Sequence, residues 1–489
     1  MGFFLCLKSS IIKPMEKAKL AINTTYFTAA LTFQKVLAFI YFWLISNSLF
    51  PGQLGQYVFA LSYTTMFSIL VDLGLSPVLT REASKQKDKA NLYLKNVLSI
   101  KIPLAFITLV LAWLFINITG KPEAVKTLVY LATIIMFLDS FSLSFWVIFR
   151  SRQNLKFESI STIIVQIIIF SLGVLALKTT GQVKHLILAL LVASVFNFLF
   201  SLSLVKFKLK FSLWPKFNPE IAKYFLKIIP AFALAGIFVK IYNTSDSVLL
   251  SYLDSDEAVG FFAVPAKVVY ALQQIIPAAF AAVIFPAFSY YYANSKTLLS
   301  KTFDKAFSYL TIIGLPIAGG LIILAKPIIN LIWPEYFEVI PTFIIMSLAI
   351  PFIFLAFPTG YLLNACDRQK NTTINRGIIT TLAVILNIIL IPRFSYLGAG
   401  ITFFITNFVL LFLDIIFVSQ VIPLDYKIII KAVLKSLISV IIMILILLLL
   451  KSHFSLLIII PIGAIAYFVS LYLMKGINLK DLASLKLKN

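Results

Sequence analysis

Apolar residues run through this 489-residue chain in long stretches that short polar segments separate. A helix needs about 20 apolar residues to cross the hydrocarbon core of a bilayer. Measured by that length, the pattern predicts fourteen spanning helices near residues 21–46, 55–80, 92–118, 124–149, 158–178, 184–205, 224–251, 258–290, 304–325, 339–365, 372–392, 396–419, 428–450 and 454–474. The chain is therefore predicted to be an all-α polytopic membrane protein.

Composition agrees with this interpretation and excludes several other classes. Hydrophobic residues make up 61% of the chain and charged residues 12%, whereas soluble domains carry about 25% charged residues. The net charge of +23 would favour nucleic-acid binding in a soluble chain, but here the basic residues lie mostly in loops. Only two cysteines and two histidines occur, so the sequence predicts no disulfide framework, no metal site and no cofactor.

The distribution of lysine and arginine predicts the orientation. With the N-terminus in the cytoplasm, the inside segments carry 31 of these residues, the outside loops carry 7, and 4 lie inside helices. Such an excess marks cytoplasmic loops. We therefore expect a multi-pass protein of the plasma (inner) membrane with both termini inside, including an N-terminal extension at 1–20 and a tail at 475–489.

The chain also contains an internal repeat. Gly55 of GQYVFA aligns with Gly260 of GFFAVP at an offset of 205 residues, and the same offset places Lys35 on Lys240. Further matches follow at offsets of 209 and 216 residues, a drift that loop insertions produce. The ordered set predicts two copies of one six-helix unit.

The repeat defines the predicted domains. Two six-helix bundles at 21–205 and 224–419 are joined by a cytoplasmic linker at 206–223, and two further helices lie at 428–474. Six is an even number, so both copies cross the membrane in the same direction. The predicted relation is a pseudo-twofold axis along the membrane normal, as in transporters with parallel repeats, with the substrate path between the bundles.

Four lysines lie inside apolar helices. A charge at bilayer depth costs roughly 2.5–3.5 kcal/mol, and such residues normally face a protein interior or a water-filled cavity. Lys101 lies near a helix end, which leaves open whether it snorkels to the interface or faces the cavity. Asn243 shares a helix face with Lys240, and Gln274 shares one with Lys267. The predicted substrate-cavity residues are Lys35, Lys240, Lys267, Lys101, Asn243 and Gln274.

Four carboxylates also lie inside the predicted spans. They either balance the lysines or carry protons, and the sequence leaves both roles open. The candidates for charge balance or coupling are Asp72, Asp139, Asp246 and Asp414. The deep charge balance stays positive, so we expect a cavity that attracts an anion, most plausibly a phosphate or pyrophosphate group, for which lysine is a common partner.

Several motifs carry a family resemblance. The stretch Gly52–Tyr93 contains D-x-G-L at Asp72–Leu75 and T-R-E at Thr80–Glu82. It resembles the second-helix region of the polysaccharide and O-antigen flippases. The segments AVGFFAVPAKV, LNACDRQKNTTINRG and LNIILIPRFSYLGAGIT resemble later helices of that family, so the resemblance covers nearly the whole chain.

The resemblance implies the fold of the multidrug/oligosaccharidyl-lipid/polysaccharide exporter superfamily. Members of the flippase family move undecaprenyl-diphosphate-linked oligosaccharides from the cytoplasmic to the outer leaflet by alternating access, and their lumens are typically cationic. The implied partners are a lipid-linked glycan, membrane lipids and other polysaccharide-assembly proteins.

Three alternatives remain. The lipid II flippases also have fourteen helices and a cationic cavity. Multidrug antiporters of the superfamily usually have twelve helices and a carboxylate in helix 1, but residues 21–46 contain no Asp or Glu. A membrane glycosyltransferase or polymerase would need outer carboxylates. The D-x-D sequence at Asp254–Asp256 fits a solvated, helix-capping turn better than a metal site, so an enzyme is not expected.

Overall fold

The computed structural model describes residues 14–451 and 453–476, and all regular structure in these ranges is helical. The predicted N-terminal extension and C-terminal tail therefore lie mostly outside the described residues. Sixteen α-helices occur in the described ranges: α1 Pro14–Ser48, α2 Pro51–Asp72, α3 Leu75–Lys85, α4 Ala90–Ile118, α5 Glu123–Ser151, α6 Lys156–Thr179, α7 Val183–Ser203, α8 Pro219–Leu253, α9 Asp256–Asn294, α10 Lys296–Ile323, α11 Ala325–Ile332, α12 Ile340–Leu348, α13 Ile350–Ala365, α14 Gln369–Ser419, α15 Tyr426–Leu450 and α16 Leu456–Leu473.

The helices agree with the predicted number of spans. Among the described residues, twelve helical stretches are long and apolar enough to cross a membrane, and α8 makes a thirteenth that bends by 54° between Pro219–Pro230 and Ala233–Leu253. The 51-residue α14 contains one residue with non-helical backbone angles, Ser395, at φ 53°. Because each part of α14 on either side of Ser395 is long enough to span, about fourteen spans result, and the prediction of an all-α polytopic protein is confirmed.

One predicted span is interrupted. The segment predicted at 55–80 is two helices, because α2 ends at Asp72 and α3 begins at Leu75. The two residues between them, Leu73 and Gly74, have φ values of +40° and +82°, which no α-helix contains. Hydropathy alone missed this break because both residues are apolar.

The contacts divide the chain into two compact units, and the boundary in the sequence falls within α9, between Gly260 and Phe261. The N-terminal unit contains α1 to α8, and there α8 packs against α2 and α3. In the C-terminal unit, α10 packs against α13 and α15, and α15 packs against α16. The repeat had assigned α8 to the second bundle, whereas its packing joins it to the first unit. The boundaries of the two six-helix bundles, which the repeat predicts, therefore stay a prediction.

The core of the N-terminal unit holds α3, α4 and α5 together. Trp146 and Phe149 of α5 are buried among residues of α3 and α4, and Phe225 of α8 joins the same cluster. Val205, just after α7, is fully buried there as well. These large apolar contacts fix the helices that carry the candidate site described below.

Two glycines bring α2 against the first turn of α9. A Cβ on Gly55 would lie 1.5 Å from the carbonyl oxygen of Asp256 and 3.0 Å from the nitrogen of Gly260. A Cβ on Gly260 would lie 2.0 Å from the carbonyl oxygen of Pro51. The helices pack this closely because neither position has a side chain. Gly55 and Gly260 are also the residues that the sequence repeat aligned.

Candidate substrate site

Asp72 lies at the break between α2 and α3 and accepts hydrogen bonds across it. Its Oδ2 accepts a hydrogen bond from the backbone N–H of Ser76 at 3.4 Å, and its Oδ1 accepts one from the Ser76 hydroxyl. The left-handed backbone at Leu73 and Gly74 turns the chain so that the carboxylate reaches the first turn of α3. The D-x-G-L motif thus ends one helix and positions a carboxylate at the start of the next.

Lys101 of α4 is fully buried and bonded to Asp72. Its ammonium lies 2.9 Å from Asp72 Oδ1, 2.7 Å from the carbonyl oxygen of Ser140 and 2.9 Å from the hydroxyl of Ser144. An ammonium has three donors, and these partners use all of them. Lys101 therefore neither snorkels nor offers a free donor to a ligand. Asp72 neutralises Lys101, and the predicted role of Lys101 as a substrate-cavity residue stays a prediction.

Lys240 has a different environment. It lies on α8, beyond the bend, and its ammonium donates a hydrogen bond to the hydroxyl of Ser68 at 2.9 Å. Ser68 lies one helical turn before Asp72 on α2. The charge of Asp72 acts on both Lys101 and Lys240, so these three ionisable groups form one cluster that carries a net positive charge. Among the described residues, the hydrogen-bond partner of Lys240 is the neutral hydroxyl of Ser68.

A cavity of about 290 Å³ borders this cluster inside the N-terminal unit. Helices α2, α3, α5 and α8 form its wall, which is mostly apolar with a few polar groups. The polar and charged lining residues are Asp72, Ser76, Thr80, Arg150 and Lys240. A largely apolar cavity with a small number of placed polar groups is typical of a ligand site.

Arg150 brings a second cation to the cavity, but a carboxylate already holds it. Its Nε donates to the two carboxylate oxygens of Glu158 at 3.1 and 2.9 Å, and its NH2 group donates to the same carboxylate. Glu158 is buried. Arg150 and Glu158 thus form a bidentate, neutral pair. Among the described residues, no carboxylate contacts Lys240, the other cation of the lining, directly.

Four other predicted residues belong to the N-terminal unit and do not line the 290 Å³ cavity. The side chains of Lys35 on α1 and Asn243 on α8 are exposed. Asp139 of α5 accepts a hydrogen bond from the hydroxyl of Ser194 at 2.8 Å, and Asp246 of α8 is buried. The opposition of Lys35 and Lys240 across a cavity stays a prediction.

The remaining predicted residues belong to the C-terminal unit. Lys267 and Gln274 lie on α9, where Lys267 is partly buried and Gln274 is exposed. Asp414 of α14 is buried and accepts hydrogen bonds from Asn375 at 2.7 Å and from Thr359 at 3.3 Å. This carboxylate is bonded within its own unit, so its predicted role in charge balance or coupling stays a prediction.

In the D-x-D turn after α8, Asp254 is exposed, as the sequence predicts, whereas Asp256 begins α9 and forms an ion pair. Lys121 donates to Asp256 Oδ1 at 2.9 Å and to the hydroxyl of Ser251 at 2.6 Å, and its ammonium lies 5.0 Å from the ring centre of Phe59. Ser251 also donates to Asp256. Asp256 is therefore held by a lysine that is 135 residues earlier in the chain.

Sequence reasoning missed three groups of the site. Ser68 is the partner of Lys240, and its position one turn before Asp72 was a usable signal, because residues four apart share a helix face. Arg150 was assigned to a cytoplasmic segment although it borders the cavity. Ser144 binds Lys101 from a helix 43 residues later in the sequence, a contact that no local pattern reveals.

Comparison with known proteins gives the family. A family model described as "Polysaccharide biosynthesis protein" matches residues 20–292, which is more than half of the chain. The chain belongs to this family. All residues that line the 290 Å³ cavity of this family member lie within the matched region.

Two relatives of this family member match most of its length. An uncharacterised membrane protein of Methanocaldococcus jannaschii is 24% identical over 432 residues, which cover 81% of this chain and 82% of that protein. The capsular polysaccharide biosynthesis protein CapF of Staphylococcus aureus is 23% identical over 371 residues, covering 74% of this chain and 89% of CapF.

A solved structure shares the fold of this family member. The lipid II flippase MurJ, in an inward closed conformation, matches with a TM-score of 0.74 at 18% identity, covering 91% of this chain and 97% of MurJ. The predicted exporter fold and the resemblance to polysaccharide flippases are therefore confirmed.

Proposed function

We propose that this protein moves undecaprenyl-diphosphate-linked oligosaccharides from the cytoplasmic to the outer leaflet by alternating access, for the export of surface polysaccharide. The observation that carries the proposal is Lys240, which lines the 290 Å³ cavity and whose ammonium bonds to a neutral hydroxyl. The substrate class, the direction and the mechanism all belong to this proposal.

The charge balance around the cavity favours an anion. Lys101 and Asp72 neutralise each other, and Arg150 and Glu158 do the same. Lys240 then supplies the net positive charge of the lining. Charges interact more strongly in a medium of low dielectric constant than in water, so this charge attracts a pyrophosphate and repels a cationic drug.

The donors of Lys240 suit a phosphate oxygen. An ammonium has three donors, and Ser68 accepts one of them. The part of the chain that the structure describes thus leaves two donors for a ligand in the cavity, as point-charge contacts of the kind that lysine makes with phosphates. The apolar part of the lining suits the beginning of a lipid chain.

The relatives support the same class of substrate. CapF is named for capsular polysaccharide biosynthesis, and MurJ is named as a flippase of lipid II. We therefore keep lipid II as the second candidate substrate. A cationic drug is the least favoured substrate, because the carboxylate that lines the cavity, that of Asp72, is already paired with Lys101.

The proposal includes the location. The positive-inside distribution supports a plasma (inner) membrane protein with cytoplasmic termini. Its partners would be the lipid-linked glycan, the surrounding lipids and other polysaccharide-assembly proteins.

The test uses purified protein in lipid vesicles. A fluorescently labelled glycan is supplied either on undecaprenyl diphosphate or on an uncharged lipid, and an impermeant reagent added outside measures the fraction of label in the outer leaflet. We expect the protein to move the pyrophosphate-linked glycan between leaflets and to leave the uncharged one unmoved. Equal movement of the two lipids, or movement of neither, would overturn the proposal.

The same vesicles separate the two candidate substrates. Labelled lipid II carries the same pyrophosphate with a different glycan. Faster movement of lipid II than of a capsule-type oligosaccharide would replace the first candidate by the second. Uptake of a cationic dye without movement of either lipid would favour a multidrug antiporter.

A further inference from the structure

The segment between α7 and α8 presents a basic and aromatic surface that the transport site does not use. It begins with a single π-helical turn at Leu204–Lys208 and continues without regular structure to Asn218. Its sequence over 206–217 is KFKLKFSLWPKF, with four lysines, four aromatic residues and no carboxylate. Such a segment would be an aggregation hazard if it faced water on all sides.

One side of this segment is fixed to the N-terminal unit. Val205 is fully buried, and the backbone N–H of Phe211 donates to its carbonyl oxygen at 3.1 Å. The guanidinium of Arg152 lies 5.0 Å from the ring centre of Phe211. Near the end of the segment, the Asn96 amide donates to the carbonyl oxygen of Asn218 at 3.0 Å. The segment is thus an ordered part of the fold.

The opposite side is exposed and has a consistent chemistry. Phe207, Trp214 and Phe217 are 72%, 82% and 59% exposed. Four exposed lysines lie between and beside them. We call this side the linker face, and it consists of Lys206, Phe207, Lys208, Lys210, Trp214, Lys216 and Phe217. One of its ammonium groups, that of Lys208, lies 3.8 Å from the ring centre of Phe157.

The position of the linker face indicates what covers it. The segment follows directly from α7, a candidate span, and leads after Asn218 into α8, another candidate span. It therefore lies at a membrane boundary, where tryptophan and lysine are both favoured. Clusters of four or more basic residues next to a spanning helix attract anionic lipids. Aromatic rings that enter the headgroup layer, together with lysines that stay among the headgroups, match such a surface.

We propose that the linker face binds the headgroups of anionic phospholipids in the leaflet at that boundary, with Trp214 inserted beside them. This inference does not depend on what the transport site carries. A soluble acidic protein is the competing occupant, and it would leave Trp214 outside the lipid layer. The positive-inside distribution places the linker on the cytoplasmic leaflet.

The test uses the full chain in nanodiscs of phosphatidylcholine alone or with phosphatidylglycerol, in which the chains of one lipid at a time are brominated to quench tryptophan fluorescence. The difference between wild type and Trp214→Phe isolates the signal of Trp214. We expect brominated phosphatidylglycerol to quench this signal more than brominated phosphatidylcholine does at equal mole fraction, with the preference reduced by high salt. Equal quenching by the two lipids, or a Trp214 signal that neither lipid quenches, would overturn the proposal.

A charge variant tests the lysines. In detergent micelles, phosphatidylglycerol is titrated into wild type and into a variant with Lys206, Lys208, Lys210 and Lys216 changed to glutamine. We expect this variant to bind on the order of a thousandfold more weakly, since each lysine near an anionic surface contributes about 1 kcal/mol. The matched control changes four exposed lysines elsewhere to glutamine, namely Lys178, Lys184, Lys326 and Lys451. An equal loss in the control variant, or no loss in the linker variant, would contradict the proposal.

Discussion

The ammonium of Lys101 lies 2.9 Å from the carboxylate of Asp72, and this ion pair joins the middle of α4 to the end of α2. The Lys101 side chain is fully buried and that of Asp72 is 15% exposed. Removing one partner of a buried pair leaves an uncompensated charge and costs about 3–5 kcal/mol, whereas removing both is often nearly neutral. Lys101 and Asp72 are therefore expected to stabilise the folded state only when both are present.

We expect Lys101→Met and Asp72→Asn each to lower the midpoint of thermal unfolding of the purified protein. The double variant should be closer to wild type than the sum of the two losses, because neither residue of the pair is then left as an uncompensated buried charge. The measurement is a double-mutant cycle on thermal unfolding. Strictly additive losses would mean that the two residues act independently.

Gly74 tests the break between α2 and α3. Its φ is +82°, and a Cβ there would lie 3.0 Å from the backbone nitrogen of Ala233. We expect Gly74→Ala to lower the unfolding midpoint for two reasons. The added Cβ crowds Ala233, and the left-handed conformation alone costs about 1–2 kcal/mol for a residue with a Cβ.

Gly120→Ala is the matched control for Gly74→Ala. Gly120 has φ +69° and no neighbouring atom within 4 Å of a Cβ, so it should show the conformational cost alone. A loss for Gly74→Ala no larger than that for Gly120→Ala would contradict the close approach of α3 to α8.

Gly55 tests the packing of α2 against the start of α9. A Cβ at this position would lie 1.5 Å from the carbonyl oxygen of Asp256, so Gly55→Ala must push the two helices apart. Overpacking of this kind typically costs about 1–3 kcal/mol. Gly52→Ala, in the same helix, has no atom within 4 Å and should leave the unfolding midpoint nearly unchanged. Equal effects of the two substitutions would argue against this packing.

Cys366, in the turn after α13, predicts a pH dependence. Burial and the neighbouring Asp367 raise the pKa of its thiol to about 11. The thiolate is the reactive form, so in a Cys6→Ser background alkylation by iodoacetamide should be slow near pH 7 and accelerate as the pH approaches 11. The native state also binds this proton more tightly than the unfolded state, so its contribution to stability is complete below about pH 8.5 and is lost as the pH rises towards 11. Full-rate alkylation of native protein at pH 7 would contradict the burial.

The sequence was sufficient for the spans but not for the breaks between them. Long apolar stretches identified the spanning helices because a bilayer imposes that length. The break at Leu73 and Gly74 depends on two backbone angles at apolar positions, to which hydropathy is insensitive. The packing of α8 on α2 and α3 is tertiary, and the repeat carried no information about it.

The candidate site was partly predictable for a similar reason. Lys240 was found because a charge in an apolar helix is visible in the sequence. The ion pair of its neighbour Lys101 was not foreseen because Asp72 lies 29 residues away, and only the fold brings the two residues together. The sequence therefore identified the charges, whereas their compensation, which decides which of them is available to a ligand, required the structure.

The role of Lys240 is tested most directly by the rate at which vesicles containing wild type, Lys240→Arg or Lys240→Ala protein move a pyrophosphate-linked glycan between leaflets. Lys126→Ala, which removes an ammonium bonded to Glu123 at 2.7 Å, is the control for a lost lysine elsewhere. A hydrogen bond to a charged group contributes about 1.5–3 kcal/mol, so we expect Lys240→Ala to slow transport about 10- to 100-fold. Lys240→Arg should keep most of the activity, and the control should keep all of it. Transport by Lys240→Ala at the wild-type rate would contradict the account.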